Sequence, residues 1–420
     1  MLHPLLKSLR LGLVFLVAAT VPALAGQPEV KTSPKGMTYS IRLPDGYAKG
    51  QHQLVLGLHG AGDNCRNFMQ WLTQHDTALP NGAILLVPQA LADGAWDKPD
   101  LDPLAELVRT IQAEHQPPRT IGLGFSRGAY YIQWLAFSFP ELLHGAIPCA
   151  GGSPGPVPDS EILKKLPFYV IHGDADDTVP FEEGQKAFAA LEAKKVLCKF
   201  EKVAGLKHTV DWDALKRGVG WIGGILDERD KAAENEIAAK ITALEAALKE
   251  KSWEAAAQGF AGLAKVPRAL APKLAALAKP HVMSANEPLA LAAIEASGRC
   301  GADGVPALKS IPVTNLKLAT AAATALGATG APTAVDPLLV FLKASKEAVS
   351  IAAAESLGRL GGDAATKALV AGLATTESGA TQDGRKAAML ASLKTITGQT
   401  FVKSSEWKKW LAERARDANK

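Results

Sequence analysis

Residues 121–131 read "IGLGFSRGAYY", and the fold turns on whether Ser126 stands on a tight turn between a strand and a helix. The apolar run "RTIGLGF" (119–125) ends at Phe125, and a helix-like run, "AYYIQWLAFSFP" (129–140), follows almost at once. Gly124 and Gly128 flank the serine and permit close strand–helix packing. A serine so placed presents its hydroxyl at a helix N-terminus, where the dipole favours developing negative charge. The pattern G-x-S-x-G is short, so its surroundings and its chemical partners must decide its meaning.

Outward from this point, short β-like runs alternate with helical ones between about residues 37 and 225. The strand candidates are "MTYSIRL", "QLVLGLH", "AILLVPQ", "RTIGLGF", "GAIPCAG", "FYVIHG" and "CKFEKV". Between them, "DPLAELVRTIQAEH", "AYYIQWLAFSFP" and "EEGQKAFAALEAK" space their apolar residues as helices do. Such alternation predicts an α/β fold, a mostly parallel sheet flanked by helices, with its ligand site at the C-terminal strand ends.

A serine hydroxyl is a weak nucleophile at neutral pH and needs a histidine to take its proton and an acid to orient that histidine. Both follow Ser126 in the chain. "FYVIHGDADDTVP" (168–180) runs from a strand into a loop with Asp174, Asp176 and Asp177, and "VAGLKHTVDW" (203–212) places His208 just after the last strand candidate. Four stretches, "LHGAGDN" (58–64), "GFSRGA" (124–129), "HGDADDTVP" (172–180) and "GLKHTV" (205–210), occur in the order of an α/β-hydrolase. Residues 37–225 resemble the phospholipase/carboxylesterase branch of small esterases and thioesterases.

The resemblance implies Ser126 as nucleophile, His208 as general base and then acid, and Asp176 as the orienting carboxylate. The family's loop reads H-G-x-x-D-P-x-V-P; here Asp177 replaces the proline, which leaves Asp177 as a second candidate acid. Backbone N–H groups of Ala61 and Arg127 would form the oxyanion hole, worth about 3 kcal/mol of barrier per donor. The family often has glutamine at position 127. The arginine side chain either biases the site toward anionic substrates or turns outward into a salt bridge. His59 and His172 are expected to hydrogen-bond to loops around the site. Trp71 and Trp96 read as core or cleft-wall residues, and Asp174 as a solvated loop carboxylate. No histidine pair sits at ligand spacing on one helix, so no metal or cofactor is expected.

Past about residue 228 the chain turns rich in Ala, Glu and Lys, with helical periodicity and no strand candidate. Similar phrases recur from Leu291, Ala319 and Ser350, each an alanine-rich helix, a glycine and a second helix. Gly298, Gly327 and Gly358 are expected to be left-handed helix caps. Residues 285–400 resemble HEAT-type repeats. The closing "LKTITGQTFVKSSEWKKWLAE" departs from the pattern and reads as a cap anchored by Trp407 and Trp410.

The chain has 420 residues, 47% hydrophobic and 21% charged, with a formal charge of +4. Dispersed basic residues imply neither a nucleic-acid nor a membrane-surface partner. Lys7 and Arg10, then "LGLVFLVAATV", then Ala23-Leu24-Ala25 before Gly26, read as a signal peptide whose apolar run is too short to span a bilayer. The expected division is 1–25 signal peptide, 26–228 catalytic domain, 229–284 helical linker and 285–420 repeats with a C-terminal cap. Export to the periplasm or medium permits disulfides, but Cys65, Cys149, Cys198 and Cys300 read as free thiols.

The functional expectation is an exported serine hydrolase cleaving small or extended carboxylic esters in an open cleft. The alternatives are a peptidase or polyester depolymerase on the same fold, and an inactive hydrolase scaffold in a binding protein whose repeats hold a protein partner.

Overall fold

A computed structural model describes residues 26–92, 94–377 and 384–417; the expected signal peptide, 1–25, lies outside these. The chain divides between Glu228 and Arg229 into two compact units.

In the first unit the strands are β1 (Glu29–Thr32), β2 (Thr38–Arg42), β3 (Leu54–Leu58), β4 (Ile84–Pro88), β5 (Thr120–Phe125), β6 (Gly145–Cys149), β7 (Phe168–Gly173) and β8 (Cys198–Val203). They form one sheet in the order β1-β2-β4-β3-β5-β6-β7-β8. Pairing is parallel from β4 through β8 and antiparallel at β1–β2 and β2–β4. The helices are α1 (Cys65–Gln74), α2 (Leu101–His115), α3 (Arg127–Ser138), α4 (Glu161–Lys165), α5 (Phe181–Ala193) and the start of α6 (Trp212–Lys249).

Strand side chains alternate between two cores. Leu54, Leu56, Leu58, Ile84 and Leu86 pack with Leu104, Val108 and Ile111 of α2 and Ile132 and Leu135 of α3. Val55, Leu85, Val87, Ile121 and Leu123 face the other way, onto Phe68 and Leu72 of α1 and Leu215 and Ile222 of α6. Burial on both faces explains why β3 and β4 read as unbroken apolar runs. Each such side chain contributes about 1.5–3 kcal/mol.

In the second unit, α7 (Trp253–Ala261) and α8 (Ala271–Ala278) precede α9 (Glu287–Gly298), α10 (Val305–Leu308), α11 (Leu316–Ala328), α12 (Val335–Leu342), α13 (Glu347–Leu360), α14 (Gly362–Glu377), α15 (Gly384–Thr397) and α16 (Ser404–Asp417). The segment read as a helical linker gives Ile241, Leu244, Phe260 and Leu274 to the same core as the repeats. It is therefore an integral layer of this unit. Its alanine-rich surface conceals the buried apolar stripe.

The expectation for the repeat glycines needs correction. Gly298, Gly327 and Gly358 lie inside α9, α11 and α13. The left-handed glycines come one turn later, Gly301 at φ 58°, Gly330 at 62° and Gly361 at 67°. The helical glycines serve close approach. A methyl on Gly298 would stand 2.9 Å from the Ala325 carbonyl oxygen, on Gly327 2.5 Å from Ser356 Cβ, and on Gly358 2.8 Å from Ser392 Oγ. Each leading helix thus crosses the next at a residue without a side chain. At the end of the array Trp407 is fully buried, its Nε1 donates to the Phe401 carbonyl at 3.1 Å, and Trp410 packs edge-on against it.

Candidate active site

Ser126 lies between β5 and α3 at φ 54° and ψ −118°, a conformation costing a non-glycine residue about 1–3 kcal/mol. The glycines of the motif make that turn possible. A methyl on Gly124 would overlap the Gly128 carbonyl, and one on Gly128 would overlap the carbonyl of Leu58 on β3. The strained serine is held on both sides: its amide donates to the Cys149 carbonyl at 2.9 Å, and its carbonyl accepts from Ala129 at 2.9 Å.

The loops after β5, β7 and β8 bring three predicted residues together. His208 Nε2 lies 2.9 Å from Ser126 Oγ, and His208 Nδ1 lies 2.8 and 3.1 Å from the two Asp176 carboxylate oxygens. Phe125, the residue before the serine, packs on the His208 ring at 5.0 Å. Burial pushes the Asp176 carboxyl up, but hydrogen bonds from His208 and from the amides of Val179 and Thr178, both at 2.9 Å, outweigh it and hold the group below its ordinary value. Asp177 is exposed and accepts from Thr178 Oγ1 at 3.3 Å. It makes no contact with His208, so the geometry separates the two candidate acids.

The acid loop is braced from beneath. His172 is buried and its Nε2 donates to the Val179 carbonyl at 3.0 Å. Asp174, expected to be merely solvated, accepts from the Gly205 amide at 2.6 Å and pairs with Lys202 at 3.3 Å. Those partners, the amide first, keep its carboxyl below its ordinary value. Asp174 thereby ties the acid loop to the loop carrying His208. Sequence reasoning also passed over Gln133, buried in α3, whose Nε2 donates to the Gly152 carbonyl at 2.8 Å and fixes the loop after β6. A glutamine among the apolar positions of that helix was the available signal.

Gly60 packs its Cα against Ser126 and Phe125; a methyl there would stand 3.4 Å from Ser126 Cβ. Ala61 follows on this loop. Among the described residues neither the Ala61 nor the Arg127 amide donates to a protein acceptor. His59 is fully buried and bridges outward, Nδ1 to the Gly60 carbonyl at 2.8 Å and Nε2 to the Ala90 amide at 3.4 Å. Those partners require a neutral ring protonated at Nδ1, and burial lowers its pKa accordingly. Trp96 is wholly buried, donating from Nε1 to the His59 carbonyl at 2.9 Å. Trp71 is half-buried, edge-on to Phe125 at 5.5 Å. The Arg127 side chain forms no salt bridge among the described residues and donates from Nε to the Trp96 carbonyl at 3.0 Å.

Among the described residues no cluster of His, Cys, Asp or Glu could hold a metal ion, and no helix is long and apolar enough to cross a membrane. The four cysteines are free thiols, and Cys65, Cys149 and Cys300 are buried.

A serine on a strained strand–helix turn, hydrogen-bonded to a histidine that is oriented by a carboxylate, defines a class. Residues 99–218 match the phospholipase/carboxylesterase family, and residues 314–393 match HEAT repeats. The chain combines an esterase-type α/β-hydrolase with C-terminal helical repeats. It is 27% identical over 154 residues to NocK of Nocardia uniformis subsp. tsuyamanensis, a protein that bears the name of an esterase; the match covers 33% of this chain and 43% of that protein's length. Among solved structures it is similar to Arabidopsis thaliana SOBER1, at 26% identity and a TM-score of 0.35 over 42% of this chain and 100% of that one. It is also similar to Zea mays acyl-protein thioesterase 2, at 22% identity and 0.38 over 45% and 98%.

Proposed function

We propose that the first unit is a serine hydrolase that cleaves carboxylic esters through an acyl-enzyme. The observation that carries this reading is the continuous hydrogen-bonded line from Asp176 through His208 to Ser126 Oγ. His208 Nε2 takes the hydroxyl proton as Ser126 attacks the ester carbonyl. The resulting oxyanion sits between the amides of Ala61 and Arg127, donors without a protein acceptor among the described residues. As the tetrahedral intermediate collapses, His208 returns the proton to the leaving alkoxide. Water then repeats the sequence on the acyl-enzyme and frees the acid. Asp176 stays ionised throughout and stabilises the imidazolium.

The test is hydrolysis of p-nitrophenyl esters of increasing acyl length by the wild type, Ser126→Ala and His208→Ala. Both variants are expected to lose at least about 10⁴-fold in kcat/KM. A folded wild type that is inactive across the series and unlabelled by a fluorophosphonate would favour the scaffold reading, with a protein partner on the helical unit. A peptidase or polyester depolymerase would use the same acyl chemistry with a different leaving group. Export to the periplasm or medium is proposed from residues 1–25 alone; a mature N-terminus at Gly26, read by mass spectrometry, is the expected outcome.

A further inference from the structure

Arg127 holds an unspent charge beside the nucleophile. Its side chain is exposed, fixed at Nε by the Trp96 carbonyl at 3.0 Å, and enters no ion pair among the described residues. The anchor is itself rigid. Trp96 is buried and stacks on Tyr131 at 5.1 Å, while the Tyr131 hydroxyl donates to the Asp97 carbonyl at 2.8 Å. The same loop lies against the one carrying Ala61, through the Gly62 amide and the Gly94 carbonyl at 3.0 Å. The arginine therefore joins the turn that presents Ser126 to the loop beside the second oxyanion donor.

Three described carboxylates on these loops, Asp63, Asp97 and Asp100, are engaged with backbone amides. Asp100 is buried and accepts from the amides of Leu91 and Asp97, both at 2.7 Å. Asp97 accepts from the Lys98 amide at 2.7 Å, and Asp63 from the Asn64 amide at 2.8 Å. Among the described residues the guanidinium thus keeps its Nη donors unpaired. With Nε fixed, less side-chain entropy is lost when a ligand engages them, and a guanidinium fork suits carboxylate and phosphate oxygens.

We propose that Arg127 is a specificity-determining residue and that the substrates are esters bearing a second, anionic group that pairs with its free donors. The proposal rests on the hydrolase reading and narrows it to a substrate class.

The experiment compares kcat/KM for mono-p-nitrophenyl adipate with that for its neutral methyl ester, placing the anion on the acyl side. Carboxyphenyl butyrate against its methyl ester places it on the alcohol side. Wild type, Arg127→Lys and Arg127→Gln are each measured at low and high salt. Because the readout is the anionic-to-neutral ratio, a general loss from an altered turn cancels.

Wild type should favour one anionic substrate by about five-fold, the yield of a single exposed ion pair. High salt should shrink the ratio, lysine should retain part of it, and glutamine should bring it to unity. A wild-type ratio at or below unity on both sides, or one unchanged in Arg127→Gln, overturns the proposal while leaving the hydrolase reading intact. Failure to hydrolyse any of the four esters, with no fluorophosphonate labelling of Ser126, overturns both.

Discussion

Both units of this protein use glycine to bring backbone segments together, but the elements that meet differ: strand against helix in the first unit, helix against helix in the second. In the hydrolase unit Gly124 of β5 meets the Gly128 carbonyl at the start of α3, and Gly128 meets the Leu58 carbonyl at the end of β3. Gly298, Gly327 and Gly358 of the helical unit meet Ala325, Ser356 and Ser392 on neighbouring helices. β3 is paired to β4 and β5, so Leu58 cannot retreat without disturbing the sheet, whereas a packed helix can slide. Close approach in the first unit holds one strained serine in one conformation. In the second it sets the spacing of a repeated layer.

The largest effect that would break this contrast lies at the strained turn. Ser126→Ala should abolish ester hydrolysis, by at least about 10⁴-fold, while calorimetry finds both units folded as in the wild type. Gly128→Ala comes next. Its methyl must displace the β3 backbone, so the hydrolase unit should lose about 3 kcal/mol or more in urea titration, and activity with it. Gly327→Ala, the same chemical change in the helical unit, should cost about 1–3 kcal/mol there and leave hydrolysis unaltered, because Ser356 and its helix can shift. Equal losses for the two glycines would erase the distinction.

Acid sharpens it further. His59 and His115 of the hydrolase unit are buried with pKa values lowered by that burial. The unfolded chain then binds protons that the folded unit does not, so stability is full above about pH 6.5 and falls as pH drops toward the depressed folded values. His281 of the helical unit is lowered by the same cause but is only half-buried. Between about pH 7 and pH 5 the hydrolase unit should therefore lose more thermal stability than the helical one. The smallest effect belongs to Gly330→Ala, where φ is 62° and nothing crowds the added methyl; about 1 kcal/mol, seen as a modest drop in Tm, is expected.

Much of this architecture was legible because its signals are local. Strands β3 through β7 announce themselves as apolar runs and β2 and β8 as β-rich segments, and the order serine, acid, histidine survives in linear sequence. Strand β1 was not legible. Its residues Glu29–Thr32 are mostly exposed and gain strand character only by pairing with β2. Helix α1 was passed over although Asn64 caps it, accepting from the amides of Arg66 and Asn67 at 3.0 Å. The repeat glycines misled because a glycine near a helix end fits a cap and a crossing equally well, and only the neighbouring helix distinguishes them.

By itself the sequence determined the class of fold, the turn on which Ser126 sits and the identity of its histidine, since each rests on periodicity or on a residue type at a strand end. Only the tertiary structure decided between Asp176 and Asp177, adjacent carboxylates that differ in where the turn points them. It also gave Asp174 its part in holding the His208 loop and, among the described residues, left the Arg127 guanidinium without a counter-ion. Those outcomes depend on which atoms of distant segments arrive within about 3 Å, the range of a hydrogen bond, and that is a property of packing that no local pattern encodes.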